Sequence, residues 1–291
     1  MVKISHRGDL METIEKLSFA KINLALDVLY KRDDGYHELN TIMQEIDLAD
    51  KLTFTNKDKG ITIECNNKSL PKDSSNLVYK AWNAIRDYSG LDRGIHIDIQ
   101  KNIPLAAGLA GGSANCATTL KVLNELWDLS LTQEELLEIG KKLGADVPFC
   151  IMGGTAKAQG IGEKLTKLNP FKDKLILIGN PGMEISSRYA YSRLKFSDKK
   201  IDIDSIISSM EDDDLKAVGE KIENIMENPI ISENSIIASI KDKMVKNGAL
   251  GALMSGSGPT VFGLFDDRDK ILYAKKELEK DIKTVHICKT I

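Results

Sequence analysis

Excess positive charge and long apolar runs are both absent from this chain. It has 40 Lys and Arg against 43 Asp and Glu, and the net charge of −3 provides no sequence-wide attraction to nucleic acid or to an anionic membrane. No apolar run approaches the ~20 residues of a membrane-spanning helix. The first twenty residues mix acids, bases and apolar side chains, which is not the pattern of a secretory signal peptide.

Cysteine is sparse as well. Cys65, Cys116, Cys150 and Cys288 are widely separated, without a C-x-x-C pair or a Cys/His group at zinc-binding spacing. We therefore expect a cytoplasmic protein in which each thiol packs as a small hydrophobe and forms no disulfide. The length of 291 residues predicts about two domains.

The apolar patterns that are present predict a chain of mixed helices and strands. Apolar residues alternate from Leu17, and a slip in phase between Phe19 and Ile22 predicts a bulge in that strand. Asp34-Gly35 predicts a hairpin turn. Further strands are predicted at 36–46, 52–55, 61–65, 94–101, 175–178 and 284–288, helices at 75–88 and 268–279, a capped helix after Thr132, a helical region at 186–246, and two strands joined by a Ser/Gly loop within 249–265.

A domain boundary is expected around residues 155–170, which divides the chain into 1–160 and 161–291.

The sequence PLAAGLAGGSA, Pro104 to Ala114, is the most informative segment and is called the glycine loop below. It precedes a helix pattern that begins near Ser113. Glycines admit unusual backbone conformations, and a helix start offers unpaired N–H groups, so this segment predicts an anion site for nucleotide phosphates. A tight strand-to-helix turn is the alternative.

Lys21 and Asn23 alternate with apolar Ile22 and Leu24, so both point off one face of a strand. A solvated strand face is one interpretation. The other is a lysine directed into a cleft, where its ammonium stabilises developing negative charge.

Asp146 follows the end of a helix pattern and precedes Val147-Pro148. It could cap the next helix, or it could orient and deprotonate a substrate hydroxyl.

Two further segments are candidates for ligand contacts. Residues 255–259, SGSGP, are called the Ser-Gly turn below, and they form either a simple hairpin or a place where backbone approaches a ligand. Tyr36 and His37 follow the predicted hairpin turn. They are either structural residues or a pair that stacks on a planar base and hydrogen-bonds to it.

Five motifs occur in order, and together they resemble the GHMP kinase superfamily from about Leu17 to the C-terminus. They are AKINLALDV at 20–28, DGYHEL at 34–39, PLAAGLAGGSAN at 104–115, LGADVPF at 143–149 and SGSGPTVF at 255–262. The resemblance implies an α+β fold with a ribosomal protein S5 domain 2-like N-terminal domain and a ferredoxin-like C-terminal sandwich. The active site is expected between these domains.

The resemblance also implies the chemistry. ATP would phosphorylate the 2-hydroxyl of a cytidine-diphosphate-linked methylerythritol in the non-mevalonate route to isoprenoid precursors, with Mg²⁺ bridging the phosphates. Asp146 would be the acid/base, and Lys21 would pair with it and with the acceptor hydroxyl. The glycine loop would bind ATP through Pro104, Leu105, Ala106, Ala107, Gly108, Leu109, Ala110, Gly111, Gly112, Ser113 and Ala114, and Ser113 would also lie near the metal.

The acceptor would contact a third set of residues. Asn23, Tyr36 and His37 would hold its cytidine diphosphate portion, Tyr191 would supply a second stacking face, and Gly256, Ser257 and Gly258 would close over the polyol or phosphate side. The expected partner is thus a small molecule, without nucleic acid or membrane, and the protein is expected to be a monomer or homodimer.

Three other functions stay open at this point. One is a superfamily relative that acts on another alcohol, such as mevalonate or homoserine. Another is a nucleotide-binding protein without catalysis, although the presence of both Lys21 and Asp146 argues against it. The last is an RNA-binding module, which the acidic balance of charge disfavours.

Overall fold

The computed structural model describes residues 13–194, 196 and 200–291. Most of the predicted leader at 1–14 lies outside these residues. The strands are β1 Thr13–Lys31, β2 His37–Lys57, β3 Ile61–Cys65, β4 Gly94–Gln100, β5 Thr155–Gly160, β6 Lys164–Lys167, β7 Leu175–Asn180, β8 Glu223–Asn224, β9 Gly251–Met254, β10 Val261–Phe265 and β11 Thr284–Lys289. The helices are α1 Leu77–Ser89, α2 Gly111–Leu126, α3 Gln133–Leu143, α4 Val147–Met152, α5 Ser187–Arg193, α6 Ile203–Glu211, α7 Leu215–Lys221, α8 Glu227–Glu233, α9 Ser235–Lys246 and α10 Arg268–Leu278.

The first two strands are longer and more regular than the sequence predicts. Strand β1 runs from Thr13 to Lys31, and Ser18, Ala20 and Ile22 on its even-numbered face are all buried. The buried face keeps a single phase, so the predicted slip is wrong: Leu17, whose apolar side chain gives the appearance of a shifted phase, is 55% exposed. The segment 52–55, predicted as a separate strand, is the last part of β2.

The chain divides into two compact units that interleave along the sequence. Unit 1 contains residues up to Ala20, 49–105 and 111–152, and unit 2 contains 21–48, 106–110 and 153–291. The division at residue 160 stays a prediction.

Unit 1 is built on a sheet covered by helices. Strand β4 pairs antiparallel with residues 51–57 of β2 and parallel with β3. Helix α1, predicted at 75–88, buries Val78, Ala81, Trp82 and Ile85 along one face. These side chains pack in a core with the isoleucines of β4 and with α2.

Unit 2 contains a four-stranded antiparallel sheet in the order β11-β7-β10-β9. Its core includes Leu177 of β7, Val261 of β10 and apolar residues of α9 and α10. Residues 39–44 of β2 pair with β5, and β8 pairs parallel with β1 at Ala25 and Leu26. Strands β5 and β6 were not predicted, because their short segments alternate only weakly.

Most local predictions are confirmed. Strands β3, β4, β7, β9, β10 and β11 and helices α1 and α10 occur where the patterns place them. Thr132 caps α3 as predicted, and it forms a capping box with Glu135. None of the four cysteines is in a disulfide; Cys116 and Cys288 are buried as expected, whereas Cys65 and Cys150 are partly exposed. None of the described helices has the length and apolar character that crossing a bilayer requires.

Candidate active site

Lys21 and Asn23, called the polar row of β1 below, lie within unit 2 and are almost inaccessible to solvent. Lys21 is 4% exposed and Asn23 is 2% exposed. Lys21 Nζ donates to Asn23 Oδ1 at 2.6 Å, and Asn23 Nδ2 donates to Thr41 Oγ1 at 2.8 Å. The solvated-face interpretation is therefore wrong, and hydrogen bonds orient both side chains. Because a buried ammonium is expensive unless it is hydrogen-bonded, its position points to a use for the charge.

The glycine loop has a backbone shape suited to binding an anion. Ala106, Gly108 and Ala110 have φ values of +46°, +74° and +55°, so every second residue is left-handed. Alternation between left-handed and ordinary residues turns successive N–H groups toward one concave side, the arrangement known as a nest. Helix α2 begins at Gly111, two residues earlier than predicted, and its 16 residues place the positive end of a macrodipole at the loop.

Residues 106–110 pack on the polar row of β1. The N–H of Lys21 donates to the carbonyl of Leu109 at 3.1 Å. The carbonyl of Leu109 thus attaches the loop to the strand. The same bond places the left-handed residues of the loop beside the residue that carries the buried ammonium.

The Ser-Gly turn meets the glycine loop within unit 2. Ser255 Oγ donates to the carbonyl of Gly108 at 3.0 Å, and a Cβ placed on Gly108 would lie 2.0 Å from the Ser255 carbonyl oxygen. A Cβ on Gly256 would lie 3.4 Å from Asn23 Oδ1. The turn is a hairpin, since Ser255 N–H bonds to the carbonyl of Thr260, but it is also the wall that faces the glycine loop.

Asn224 anchors this turn and was missed in the sequence. Its Nδ2 donates to the carbonyls of Met254 and Gly256, both at 2.8 Å, and its Oδ1 accepts from the N–H of Met226. No local pattern marks this asparagine, because its role depends on β8 lying beside β1 and β9.

Asp146 lies in unit 1 at the turn between α3 and α4. Its carbonyl accepts from the N–H of Cys150 and α4 begins at Val147, so it occupies the N-cap position that the local pattern allowed. A Cβ on Gly144 would lie 4.0 Å from Ser113 Oγ. The turn that carries Asp146 therefore lies beside the first turn of α2, where the glycine loop ends.

The aromatic candidates form a cluster in unit 2. The rings of His37 and Tyr191 stack with centroids 4.6 Å apart at an interplanar angle of 12°. Phe196, another residue that the sequence did not indicate, stacks on His37 at 6.1 Å. Tyr36 is exposed. Burial, with a smaller effect from the charge of Lys31, lowers the pKa of His37, so its imidazole is neutral near pH 7 and can offer one donor and one acceptor.

Models of two protein domains match this chain. The GHMP kinases N terminal domain matches residues 76–154, and the GHMP kinases C terminal domain matches residues 206–282.

Relatives with curated names match along most of the chain. The 4-diphosphocytidyl-2-C-methyl-D-erythritol kinase of Clostridium botulinum (strain Alaska E43 / Type E3) is 43% identical over 279 residues, which is 94% of this chain and 99% of the relative. The enzyme of the same name from Clostridium perfringens (strain ATCC 13124) is 46% identical over 86% of this chain and 88% of its own length.

The chain belongs to the 4-diphosphocytidyl-2-C-methyl-D-erythritol kinase family of GHMP kinases. This membership confirms the predicted α+β architecture and the predicted enzyme class, an ATP-dependent phosphotransferase with an alcohol as acceptor.

Solved structures agree with this family. A crystal structure of 4-(cytidine 5'-diphospho)-2C-methyl-D-erythritol kinase superposes with a TM-score of 0.81 at 28% identity, covering 95% of this chain and 99% of that one. Homoserine kinase from Cytophaga hutchinsonii shares the fold, with a TM-score of 0.73 at 19% identity, covering 100% of this chain and 97% of that one.

The predicted residues thus group within each unit. In unit 2, Lys21, Asn23, Gly108 and the Ser-Gly turn come together, and His37 meets Tyr191. In unit 1, Ser113 lies near the turn of Asp146. The predicted pairing of Lys21 with Asp146 stays a prediction.

Proposed function

We propose that this chain transfers the γ-phosphoryl group of ATP to the 2-hydroxyl of 4-diphosphocytidyl-2-C-methyl-D-erythritol. The observation that carries this proposal is the buried row of Lys21 and Asn23, packed against a loop with a left-handed residue at every second position. A buried cation next to an anion-binding backbone is suited to phosphoryl transfer, in which positioning and electrostatics dominate. The names of the relatives supply the identity of the acceptor.

In this proposal the glycine loop binds the triphosphate. The nest at residues 106–110 and the first turn of α2 present N–H groups to the phosphates, and the helix dipole favours their negative charge. Glycine is needed at position 108 because the Ser255 carbonyl occupies the space of a side chain. The Ser-Gly turn then forms the opposite wall, where the acceptor would lie.

The cytosine ring of the acceptor would be held by Tyr36, His37 and Tyr191. The stacked pair of His37 and Tyr191 offers flat aromatic faces, and exposed Tyr36 can cover a base from another side. Neutral His37 would exchange hydrogen bonds with the base. Asn23 would contact the diphosphate.

Asp146 would accept the proton of the acceptor hydroxyl. As the oxygen of that hydroxyl bonds to the γ-phosphorus, the bond from the γ-phosphorus to the β,γ-bridging oxygen breaks and ADP leaves. The proton passes to the carboxylate of Asp146 late in the step. The ammonium of Lys21 would stabilise the charge on the attacking oxygen.

Mg²⁺ fits this site through oxygen ligands. The cation prefers oxygen donors and is usually bound by few protein groups together with substrate phosphates and water. The Ser113 hydroxyl, in the first turn of α2, is the protein oxygen that we assign to it. When bound, Mg²⁺ neutralises phosphate charge during transfer.

The test is Asp146→Asn, which keeps the shape and removes the base. Turnover should fall by about 10²–10⁴-fold, the usual contribution of a general base, with ATP affinity and melting temperature unchanged. A coupled ADP assay and thermal-shift titration with a non-hydrolysable ATP analogue measure the two. Full activity would end this assignment.

Lys21→Met, combined with Asp146→Asn, tests the predicted pairing of Lys21 with Asp146. If Lys21 and Asp146 act on one hydroxyl, the double variant loses little more activity than either single variant, because groups that act as a unit are not additive. Multiplicative losses would contradict the pairing.

Acceptor profiling separates the proposal from its nearest alternative. The cytidylylated alcohol should be phosphorylated, whereas mevalonate and homoserine should not. The aromatic cluster of His37, Tyr191 and Phe196 favours a substrate that carries a planar base.

A cytoplasmic location and a monomeric or dimeric state stay predictions.

A further inference from the structure

A buried ion pair in unit 1 lies beside both ends of the glycine loop and has no part in the chemistry above. Lys101 Nζ contacts Asp50 Oδ2, and the two side chains are 3% and 0% exposed. Both belong to the same unit as residues 102–105 and 111–115, which flank the left-handed segment 106–110 of the loop. Such burial of charge is costly unless the remaining hydrogen-bonding capacity is used.

Asp50 uses that capacity on both ends of the loop. Its Oδ1 accepts from the N–H of Asn102 at 2.8 Å and of Ile103 at 2.9 Å, immediately before the loop. Its Oδ2 accepts from Asn115 Nδ2 at 2.9 Å, in the first turns of α2, besides Lys101. One carboxylate therefore joins the residues before the loop to the helix after it.

The two ends of the loop also touch directly. A Cβ on Gly111 would lie 2.9 Å from Ile103 Cγ2 and 3.1 Å from Lys101 Nζ. The first residue of α2 thus packs against the residue before Pro104 at a distance that only glycine permits. The loop closes on itself at the point where Asp50 holds it.

The contact between the two ends of the loop restrains the strained residues that lie between them. Alanines at positions 106 and 110 have positive φ, which costs of order 1–3 kcal/mol at each site and persists only where the surroundings over-determine it. In addition, the ammonium of Lys101 near the start of α2 opposes the helix dipole, and the carboxylate of Asp50 offsets that charge.

We propose that Asp50 is a positioning residue of the glycine loop. Its carboxylate clasps residues 102–103 to Asn115 and so holds the loop and the start of α2 in the shape that binds phosphates. This inference rests on the proposed function in one respect, that ATP binds at this loop. A carboxylate that only stabilised the fold would affect both substrates alike.

The decisive variant is Asp50→Asn. Its amide oxygen can still accept from the N–H groups of Asn102 and Ile103, but its NH₂ group faces Lys101 and Asn115, which are also donors there. We expect the dissociation constant for ATP to rise about tenfold, the loss of one bond to a charged group, with the KM for the acceptor alcohol unchanged. Hydrogen exchange should increase at the amides of 102–103 and of the first turns of α2.

The double variant Asp50→Asn/Asn115→Asp is the rescue. It moves the carboxylate to position 115, where Lys101 Nζ already lies 3.4 Å from the side-chain oxygen. In the double variant the amide at position 50 donates to the new carboxylate. The Ser18 hydroxyl, which accepts from Asn115 in the parent protein, rotates to donate to that carboxylate. ATP affinity and exchange should return most of the way to the parent values.

Glu15→Gln is the matched control, because it removes one negative charge from an exposed ion pair with Lys51 in the same unit. Unchanged hydrogen exchange in Asp50→Asn would overturn the proposal that Asp50 positions the loop. Equal losses of affinity for ATP and for the acceptor, without rescue by the double variant, would overturn it as well. A parent protein that fails to bind ATP would contradict the proposed function, while the exchange measurements would still decide whether Asp50 holds the loop.

Discussion

The glycine loop and the Ser-Gly turn reach their shapes by different means. The Ser-Gly turn is a hairpin that its own backbone closes, with the N–H of Gly258 bonded to the carbonyl of Ser255 and the N–H of Ser255 bonded to the carbonyl of Thr260. From outside the turn, Asn224 adds a hydrogen bond to the carbonyl of Gly256. The glycine loop is held from outside. Its carbonyls bond to Lys21 and Ser255, and its ends are held by Asp50.

The difference shows where each segment is vulnerable. A turn closed by adjacent residues tolerates change nearby as long as its hairpin survives. A loop held by distant side chains can use its N–H groups for a ligand, but it depends on every contact that shapes it. Gly108, where the two segments meet, should therefore be the most sensitive position in either.

The largest effect should come from Gly108→Ala. The new Cβ would meet the Ser255 carbonyl at 2.0 Å, and φ is +74°, so the loop must move. Strain of 1–3 kcal/mol plus the clash predicts a rise of about 100-fold in the KM for ATP. Steady-state kinetics measure it.

Gly90→Ala is the matched control for this variant. Its φ is +69°, and no atom lies within 4 Å of the added Cβ, so it carries the backbone strain without the clash. It should cost about 1 kcal/mol of folding free energy and leave both KM values unchanged. Equal KM values for ATP in the two variants would show that the clash at position 108 has no effect on ATP binding.

Gly256→Ala should have a smaller effect, and on the other substrate. Its Cβ would lie 3.1 Å from the carbonyl oxygen of Gly108 and 3.4 Å from Asn23 Oδ1, contacts that small shifts can relieve. We expect about a tenfold rise in the KM for the acceptor alcohol, from a strain of roughly 1.4 kcal/mol, and little change for ATP. A larger effect on ATP would show that the turn also shapes the nucleotide side.

Ser255→Ala removes the hydroxyl that bonds the turn to the carbonyl of Gly108. Loss of one neutral hydrogen bond, about 1 kcal/mol, predicts roughly a fivefold rise in the KM for ATP. Ser257→Ala is a suitable partner for it, because Ser257 bonds to the exposed hydroxyl of Ser187 instead. If both variants have the same KM for ATP, the bond between the two segments has no role in shaping the loop.

The smallest effect concerns pH. Neither PLAAGLAGG at 104–112 nor SGSGP at 255–259 contains a titratable side chain, so the ratio of the Gly108→Ala and Gly256→Ala effects should not change between about pH 7 and 8.5. The lowered pKa of His37 means that its imidazole becomes charged only below its usual ~6.5. The KM for the acceptor should therefore change only in that acidic range, and NMR titration of His37 checks the midpoint.

Much of the site could be predicted from local patterns. The alternation around Lys21 and Asn23, the small residues of 104–114 and the glycines of 255–259 each mark a local backbone requirement, and the structure brings parts of all three together in unit 2. The start of α2 was predicted two residues late because its first residues are glycines, which are poor helix formers.

Other parts of the site could not be predicted in this way. Asn224 carries no signal, because the carbonyls that it binds lie 30 and 32 residues further along the chain. Asp50 is one of many acids, and its partners Asn102 and Asn115 are 52 and 65 residues away. Phe196 has no periodic context, and only its stacking on His37 brings it into the cluster.

By itself the sequence determined the kinds of elements, the turns and caps, and the family, because these depend on residues close together in the chain. The tertiary structure alone decided that Lys21 is buried, that Gly108 admits no side chain and that Asp50 holds two ends of one loop. Burial and contact depend on what surrounds a residue in space, and those neighbours come from segments that local periodicity cannot pair.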